Sequence, residues 1–274
     1  MTKNLLHTVM IKPEEKPIHR MDIAGLEAKI KEGYTITRVD KHTTKKTFAP
    51  STIAYGHGEC ARYWYLAFDG QMFEDNADAY AAANMTAGTL SHARIQNAMM
   101  NAGIVKVYRD ENNEAATEFK IKHDDPPIFG YGDVMFDWQG EELIGEIKTM
   151  MNEGFEYRKA HMKPKTGHLV QLLIYMKILK KPKAVLIYEN KNNHELLILP
   201  VEVNDYYRRW VDQTFEWMRS VRKAWVDRTL PEKNYRSNSK ICKSCPIKQA
   251  CADAGPGVFK IKSMEPIDEA LSMV

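Results

Sequence analysis

One short hairpin in the middle of the chain most constrains the fold, because it places charged residues inside an apolar, strand-forming sequence. Two runs of β-forming residues flank the Gln-Gly pair at 139–140, which predicts a tight reversal. Side chains alternate along a strand, so Glu146 and Lys148 share one face while Ile147 points to the other. Asp133 lies on the neighbouring strand. Charges placed in a core need a partner or a metal ion.

The residue types of this hairpin suit metal-assisted hydrolysis of a phosphodiester. Asp133 and Glu146 offer the hard oxygen ligands that Mg²⁺ or Mn²⁺ takes, and these ions fill their other positions with water and phosphate oxygens. Lys148 is placed to hold the attacking water and to stabilise charge on the phosphate. We therefore predict Asp133, Glu146 and Lys148 as the catalytic residues. A solvated edge hairpin is the alternative interpretation.

These three residues resemble the D…E-x-K centre of the PD-(D/E)XK nuclease superfamily. The resemblance implies an α/β fold in which a mixed β-sheet is flanked by helices, as in the restriction-endonuclease-like core. It covers about residues 51–251 of the 274, and the first fifty residues match no part of the pattern.

The four cysteines of the chain divide into one near the start and three near the end. Cys60 stands alone, and Cys242, Cys245 and Cys251 form a C-x2-C-x5-C group. Four thiolates are the number that either a [4Fe–4S] cluster or a tetrahedral zinc site requires, so the count alone leaves both open. The one-plus-three division is similar to the iron–sulfur nucleases of the Cas4 and RecB/AddB type. That resemblance implies a [4Fe–4S] cluster in a C-terminal iron–sulfur lobe.

The same resemblance implies roles for residues that would not be singled out alone. It implies that a histidine on a helix ahead of the aspartate belongs to the metal site, which assigns His92. It also implies the Ile147 carbonyl as a further ligand. A Q-x3-Y pair on the helix after the E-x-K strand positions DNA and the lysine, which assigns Gln171 and Tyr175. Arg62, close to Cys60, is a further candidate contact to DNA.

Charge and composition bound the partners of the chain. The net charge of +3 is small, but residues 219–248 hold nine basic and two acidic residues, which suits a phosphate backbone. A solvated helix face is the alternative. No apolar run approaches the length of about 20 residues that a spanning helix needs. The N-terminus lacks a secretory signal, so we expect a cytoplasmic protein in which two disulfides are disfavoured.

Periodicity and turn residues predict the remaining elements. Helices are expected over 21–32, 51–65, 78–102, 167–179 and 204–230, and strands over 35–39, 117–122, 183–190 and 194–202. We divide the chain into an N-terminal extension (1–50), a nuclease core (51–230), an iron–sulfur segment (231–255) and a C-terminal tail (256–274). The tail has little pattern, and we expect it to be poorly ordered.

Taken together, the resemblance implies a metal-dependent exonuclease acting on single-stranded or end-exposed DNA, in recombination, repair or CRISPR adaptation. Its partners would be DNA and proteins of recombination, replication or CRISPR adaptation, and an oligomer is compatible with the sequence. Two alternatives stay open: an endonuclease of the flap or junction type, including a zinc-stabilised one, and a non-catalytic iron–sulfur DNA-binding subunit of a larger complex.

Overall fold

A computed structural model describes residues 22–42 and 44–267 as a mixed α/β protein. The helices are α1 (Ile23–Thr35), α2 (Pro50–Ile53), α3 (Ala61–Phe68), α4 (Ala79–Asn101), α5 (Asn152–His161), α6 (Thr166–Leu179), α7 (Asp205–Val226), α8 (Lys240–Lys243) and α9 (Lys248–Asp253). The strands are β1 (Lys41–His42), β2 (Met72–Phe73), β3 (Tyr108–Arg109), β4 (Ala115–Ala116), β5 (Phe119–His123), β6 (Ile128–Gly132), β7 (Val134–Trp138), β8 (Glu141–Met150), β9 (Lys183–Asn190) and β10 (Leu196–Glu202). None of the described helices combines the length and apolar character that a membrane span requires.

The central sheet has four strands in the order β10-β9-β8-β7. β8 and β9 are parallel and are joined by a crossover through α5 and α6, whereas the outer pairs are antiparallel. The predicted mixed sheet is therefore confirmed. The reversal before β8 is also as predicted: Gln139 and Gly140 have φ of 52° and 82°, the left-handed values of a two-residue hairpin turn whose twist matches the strands.

The two faces of this sheet are buried against different helices. On one face, Ile144, Leu186 and Tyr188 join a large core with the apolar residues of α3, α6 and α7. On the other face, Ile147 joins a smaller core that includes Ile95 of α4. Ile147 thus points away from α6, and the residues on either side of it in β8 point toward α6. The predicted alternation of Glu146, Ile147 and Lys148 is confirmed.

Most long elements lie where their patterns predicted, and two expectations about local structure are wrong. The predicted strand over 35–39 is absent, because α1 continues through Gly33 to Thr35 and the chain then turns, with the Arg38 amide bonded to the Thr35 carbonyl. The predicted helix over 51–65 is instead α2, a 3₁₀ turn (Gly56–Glu59) and α3. Cys60 therefore lies at the N-cap of α3 and not within a longer helix. Met21, the first residue of the predicted α1, lies outside the described residues.

The expectation of a poorly ordered tail after Gly255 is wrong for residues 256–267. Phe259 forms a parallel bridge to Pro231, and its carbonyl accepts a hydrogen bond from the Glu232 amide. The Trp210 indole donates to the Glu265 carbonyl at 2.8 Å. This stretch is held because its backbone groups have partners in α7 and in the segment that follows it. Residues 268–274 lie outside the described residues.

Candidate active site

Asp133 lies at a bend where the chain changes from one sheet to another. The residues before it, in β6, pair with β5, and those after it, in β7, pair with β8. Its carboxylate Oδ2 accepts a hydrogen bond from the Ile147 amide at 2.6 Å, which fixes the side chain beside β8. Gln96 of α4 donates to the Asp133 carbonyl at 3.1 Å. Two elements therefore position Asp133, which is nearly buried.

Glu146 and Lys148 lie side by side on the α6 face of β8. The Lys148 ammonium donates to Glu146 Oε1, which also accepts a hydrogen bond of 2.7 Å from Gln171 Nε2. Glu146 is fully buried, and its other oxygen, Oε2, has no hydrogen-bond partner among the described residues. A buried carboxylate oxygen without a donor is strongly unfavourable unless a cation or a proton satisfies it.

The electrostatics of the pair are coupled. Burial and the nearby charge of Asp133 raise the pKa of Glu146 to about 8, although Lys148 acts in the opposite direction. Burial alone would lower the pKa of Lys148, but Glu146 and Asp133 outweigh it and raise that pKa. Lys148 therefore stays cationic. Without a further positive group, Glu146 gains little from ionising in this position.

The structure brings His92 to the site. Its Nδ1 lies 3.6 Å from Asp133 Oδ1, so α4 carries the imidazole to the bend as the sequence resemblance implied. Among the described residues, no three His, Cys, Asp or Glu side chains stand close enough to share one ion. In this arrangement Glu146 is turned toward Lys148 and Gln171. The ligand set of His92, Asp133, Glu146 and the Ile147 carbonyl stays a prediction.

The Q-x3-Y pair of α6 makes two separate connections. Gln171 is buried and holds Glu146, as described above, and its Nε2 also lies 3.2 Å from the Tyr175 hydroxyl. Tyr175 donates that hydroxyl to the Tyr131 carbonyl at 3.0 Å. Burial raises the pKa of Tyr175, which keeps the hydroxyl protonated. Within this structure, Gln171 acts on a carboxylate and Tyr175 acts on the backbone of β6.

The four cysteines come together although more than 180 residues separate the first from the others. Cys60, Cys242, Cys245 and Cys251 are partly buried and line one cavity of about 320 Å³, together with Tyr63 and other apolar side chains. Burial raises the pKa of the Cys245 thiol to about 12, and the other three thiols add to this effect. The Cys245 thiol is therefore protonated at neutral pH until a positive centre replaces its proton.

The structure contradicts the assignment of Arg62 as a DNA contact. The side chain is only 1% exposed. Its guanidinium donates to three main-chain carbonyls, those of Pro231 at 3.2 Å, Cys251 at 3.1 Å and Gly255. All three belong to the segment that carries the late cysteines. Arg62 is thus a buried clamp between α3 and that segment, and it is out of reach of a phosphate backbone.

The basic stretch over 219–248 has fewer free charges than its composition suggests. Arg219 pairs with Asp125, Lys223 with Asp227, and Arg228 with Asp69. The Arg222 guanidinium lies over the Trp225 ring, 4.2 Å from its centroid. Within α7 and just after it, the excess is therefore mostly an ion-paired helix surface.

Sequence reasoning missed three residues that belong to this neighbourhood. Gln96 and the Tyr131 carbonyl were described above, and the third is His168 of α6. Its Nδ1 lies 3.2 Å from the Tyr188 hydroxyl, and burial together with Lys148 lowers the pKa of His168 to about 3. It is a neutral group under the electrostatic influence of Lys148. Two sequence signals could have identified them. Gln96 lies one helical turn after His92, and His168 lies one turn before Gln171.

The fold has similar solved structures, although the sequence has no recognisable relative. The chain matches no protein-family model and no curated protein. Among solved structures it is similar to SSO0001, with 13% identity and a TM-score of 0.39 over 84% of this chain and 96% of that one. It is also similar to LHK-Exo in complex with dAMP, with 13% identity and a TM-score of 0.48 over 66% of this chain and 89% of that one. The alkaline exonuclease LHK-Exo from Laribacter hongkongensis matches with 13% identity and a TM-score of 0.48 over 72% of this chain and 95% of that one.

Proposed function

We propose that this protein is a metal-dependent DNA nuclease that hydrolyses phosphodiester bonds. The observation that carries the proposal is the convergence of Asp133, Glu146 and Lys148 at one nearly buried point. The bend, the hairpin and α6 hold them there. A structural ion pair would need only Glu146 and Lys148, whereas the nearby Asp133 carboxylate adds a second negative charge that such a pair does not require.

The donor set fits a hard divalent cation. Carboxylate and carbonyl oxygens are the ligands that Mg²⁺ and Mn²⁺ take, and Glu146 Oε2 is a buried oxygen in need of a positive partner. Asp133, Glu146, the Ile147 carbonyl and His92 would hold the ion. When bound, such an ion supplies Lewis acidity toward the phosphate and lowers the pKa of a bound water.

The chain's own residues supply positioning and charge. Lys148, cationic and next to Glu146, orients the attacking water and stabilises negative charge that develops on the phosphate. Gln171 fixes the orientation of Glu146 through its 2.7 Å hydrogen bond. Gln96 and the Ile147 amide keep Asp133 at the bend. The preference for DNA, and for single strands or ends, comes from the sequence resemblance.

The cysteine cavity fits an iron–sulfur cluster as a structural cofactor. Its four soft thiols line one space of about 320 Å³, and their one-plus-three division along the sequence resembles that of the iron–sulfur nucleases. A tetrahedral zinc ion needs all four sulfurs about 2.3 Å from one point, whereas a [4Fe–4S] cluster has a body of its own to occupy the space. We therefore propose [4Fe–4S] over zinc at this position.

The nuclease proposal is tested on end-labelled linear and circular single-stranded DNA with Mn²⁺. We expect degradation of linear DNA only, and we expect Lys148→Met to lower kcat by about 10²–10³-fold with unchanged DNA binding. Cutting of circles would assign an endonuclease. A wild-type protein that binds DNA but cleaves neither form would overturn catalysis and favour the binding subunit.

The cofactor proposal is tested separately on an anaerobic preparation. We expect visible absorption and the presence of iron and acid-labile sulfide. Zinc without iron or sulfide would refute the cluster and leave the nuclease proposal standing, because the two sites share none of their assigned ligands.

A further inference from the structure

The β5–β6 hairpin presents a row of aromatic and basic side chains to solvent. Phe129 and Tyr131 are 36% and 47% exposed on β6. The register places Lys122 opposite Phe129 and Lys120 opposite Tyr131, so each ring has a lysine directly across the ribbon. Both lysines are exposed. The two neighbouring rings form one contiguous apolar patch rimmed by charged groups, which is the kind of surface that marks an interaction site.

The Phe129 and Tyr131 rings do not cover each other's faces. Their centroids are 5.3 Å apart with an interplanar angle of 83°, so they support each other edge to face and do not stack face to face. Lys122 makes an ion pair with Asp124 at 3.0 Å, in which both side chains are largely exposed and the interaction is correspondingly weak. The lysines thus remain available to an anion that approaches the rings.

This row leads into the candidate active site. Asp133 follows β6 directly, two residues after Tyr131, at the bend where the chain passes into β7. Tyr131 and Lys120 also line an open groove of about 880 Å³, and so does Gln96, whose side chain bonds the Asp133 carbonyl. The groove is large enough for nucleotides.

The charge along the hairpin changes sign toward the site. Glu118 is exposed and directly precedes β5, at the end of the hairpin where β6 leads to Asp133, and its charge acts on Glu146. The lysines lie farther out. Acidic groups therefore lie near the proposed metal ion, and basic groups lie along the hairpin that leads to it. This distribution suits a polyanion that contacts the lysines and reaches the cation.

We propose that the outer face of this hairpin is a stacking platform for single-stranded DNA, which guides the strand along β6 to Asp133. The rings of Phe129 and Tyr131 stack bases, and Lys120 and Lys122 contact the phosphates. Rings with adjacent cations bind single strands in this way without sequence preference, because every base has a π face. The proposal rests on the nuclease function proposed above.

The test measures DNA binding without catalysis. Anisotropy of a labelled single-stranded oligonucleotide is recorded in EDTA for Tyr131→Leu, which keeps an apolar side chain and removes the ring. We expect the dissociation constant to rise about fivefold or more, and the double variant with Phe129→Leu to lose about 20-fold or more. Tyr131→Phe should bind as the wild type does. Tyr80→Leu, an exposed aromatic on α4 at 73% exposure, is the matched control.

Two further readouts separate stacking from charge. A 2-aminopurine base in the oligonucleotide should be quenched by the wild type and not by the double leucine variant. Lys120→Gln with Lys122→Gln should reduce the slope of log K against log salt by about 0.7 for each lost phosphate contact, whereas Lys29→Gln on α1 should leave it unchanged.

The outcomes distinguish this proposal from the function it rests on. If the leucine variants bind single strands as tightly as the Tyr80→Leu control, the platform is refuted even when the wild type cleaves DNA. If the wild type cleaves no DNA but the leucine variants lose binding and quenching, the platform stands and catalysis fails. Urea unfolding of each variant, expected at the wild-type midpoint, shows that binding is not lost through misfolding.

Discussion

Replacing Arg62 by methionine removes a guanidinium that the structure places at the junction of α3 and the cysteine segment. Methionine keeps most of the apolar stem but donates no hydrogen bonds. Three carbonyls, of Pro231, Cys251 and Gly255, then lose their donor in a site with little access to water.

The size of the effect follows from these contacts. A hydrogen bond from a charged group contributes about 1.5–3 kcal/mol, and three that share one guanidinium are less than additive, so we expect a loss of about 3–5 kcal/mol. The Arg62 Nε atom is already buried without a hydrogen-bond partner among the described residues, which keeps the expected loss below that of three full hydrogen bonds. Such a loss is a large part of a typical stability of about 5–15 kcal/mol.

The assay is urea unfolding of the metal-free protein, followed by tryptophan fluorescence, with thiol reactivity measured in parallel. Arg62→Met should unfold at lower urea and expose its cysteines faster. Arg62→Lys keeps the charge but replaces the planar guanidinium by a compact ammonium. Its urea midpoint and its thiol reactivity should therefore lie between those of the wild type and of Arg62→Met. A wild-type midpoint and wild-type thiol reactivity in Arg62→Met would refute the clamp. Weakened DNA binding in that same stable variant would restore the original interpretation of Arg62 as a DNA contact.

Three other perturbations test separate parts of the structure. Gln171→Leu should lower kcat by about tenfold to a hundredfold with little change in DNA binding, because Glu146 loses a charge-assisted hydrogen bond; unchanged kcat in steady-state assays would argue against this positioning role. Cys60→Ser should yield a protein with less iron and visible absorption than the wild type, and equal iron content would exclude Cys60 as a ligand. His168 is held neutral in the fold, with its pKa lowered from 6.5 to about 3. The unfolded chain therefore takes up a proton that the folded chain does not as pH falls below 6.5, and stability is lost in that direction. Urea unfolding should show the wild type losing about 2 kcal/mol more than His168→Gln between pH 7 and pH 5; parallel losses would contradict a buried neutral imidazole.

The β7–β8 hairpin was predictable because its determinants are local. Strand alternation alone separates Ile147 from its charged neighbours, and a Gln-Gly pair is sufficient to specify the turn at 139–140. The side-chain face of Glu146 and Lys148 then follows without knowledge of the rest of the fold. The bend at Asp133 was not predictable in this way, since it arises where β6 and β7 pair with different partners.

The errors arose where distant residues decide the local structure. Arg62 looks like a surface cation until three carbonyls 169 to 193 positions later are known to surround it. The helix predicted over 51–65 is interrupted near Gly58, where an added Cβ would lie 1.9 Å from the Thr52 carbonyl oxygen, so the chain packs too closely there for a regular helix of ordinary residues. Periodicity contains no information about such close approaches.

One turn of α6 connects the chemistry of the site to the surface proposed to bind the strand. Gln171 sets the orientation of Glu146, and four residues later Tyr175 holds the Tyr131 carbonyl. Because both side chains are buried on one rigid helix, the distance from the Glu146 carboxylate to the Tyr131 carbonyl is fixed by helix geometry and not by loop conformation. A pair of polar residues at this spacing in an otherwise apolar helix is unfavourable for packing alone. Its placement is explained if the helix must align a bound strand with the catalytic centre.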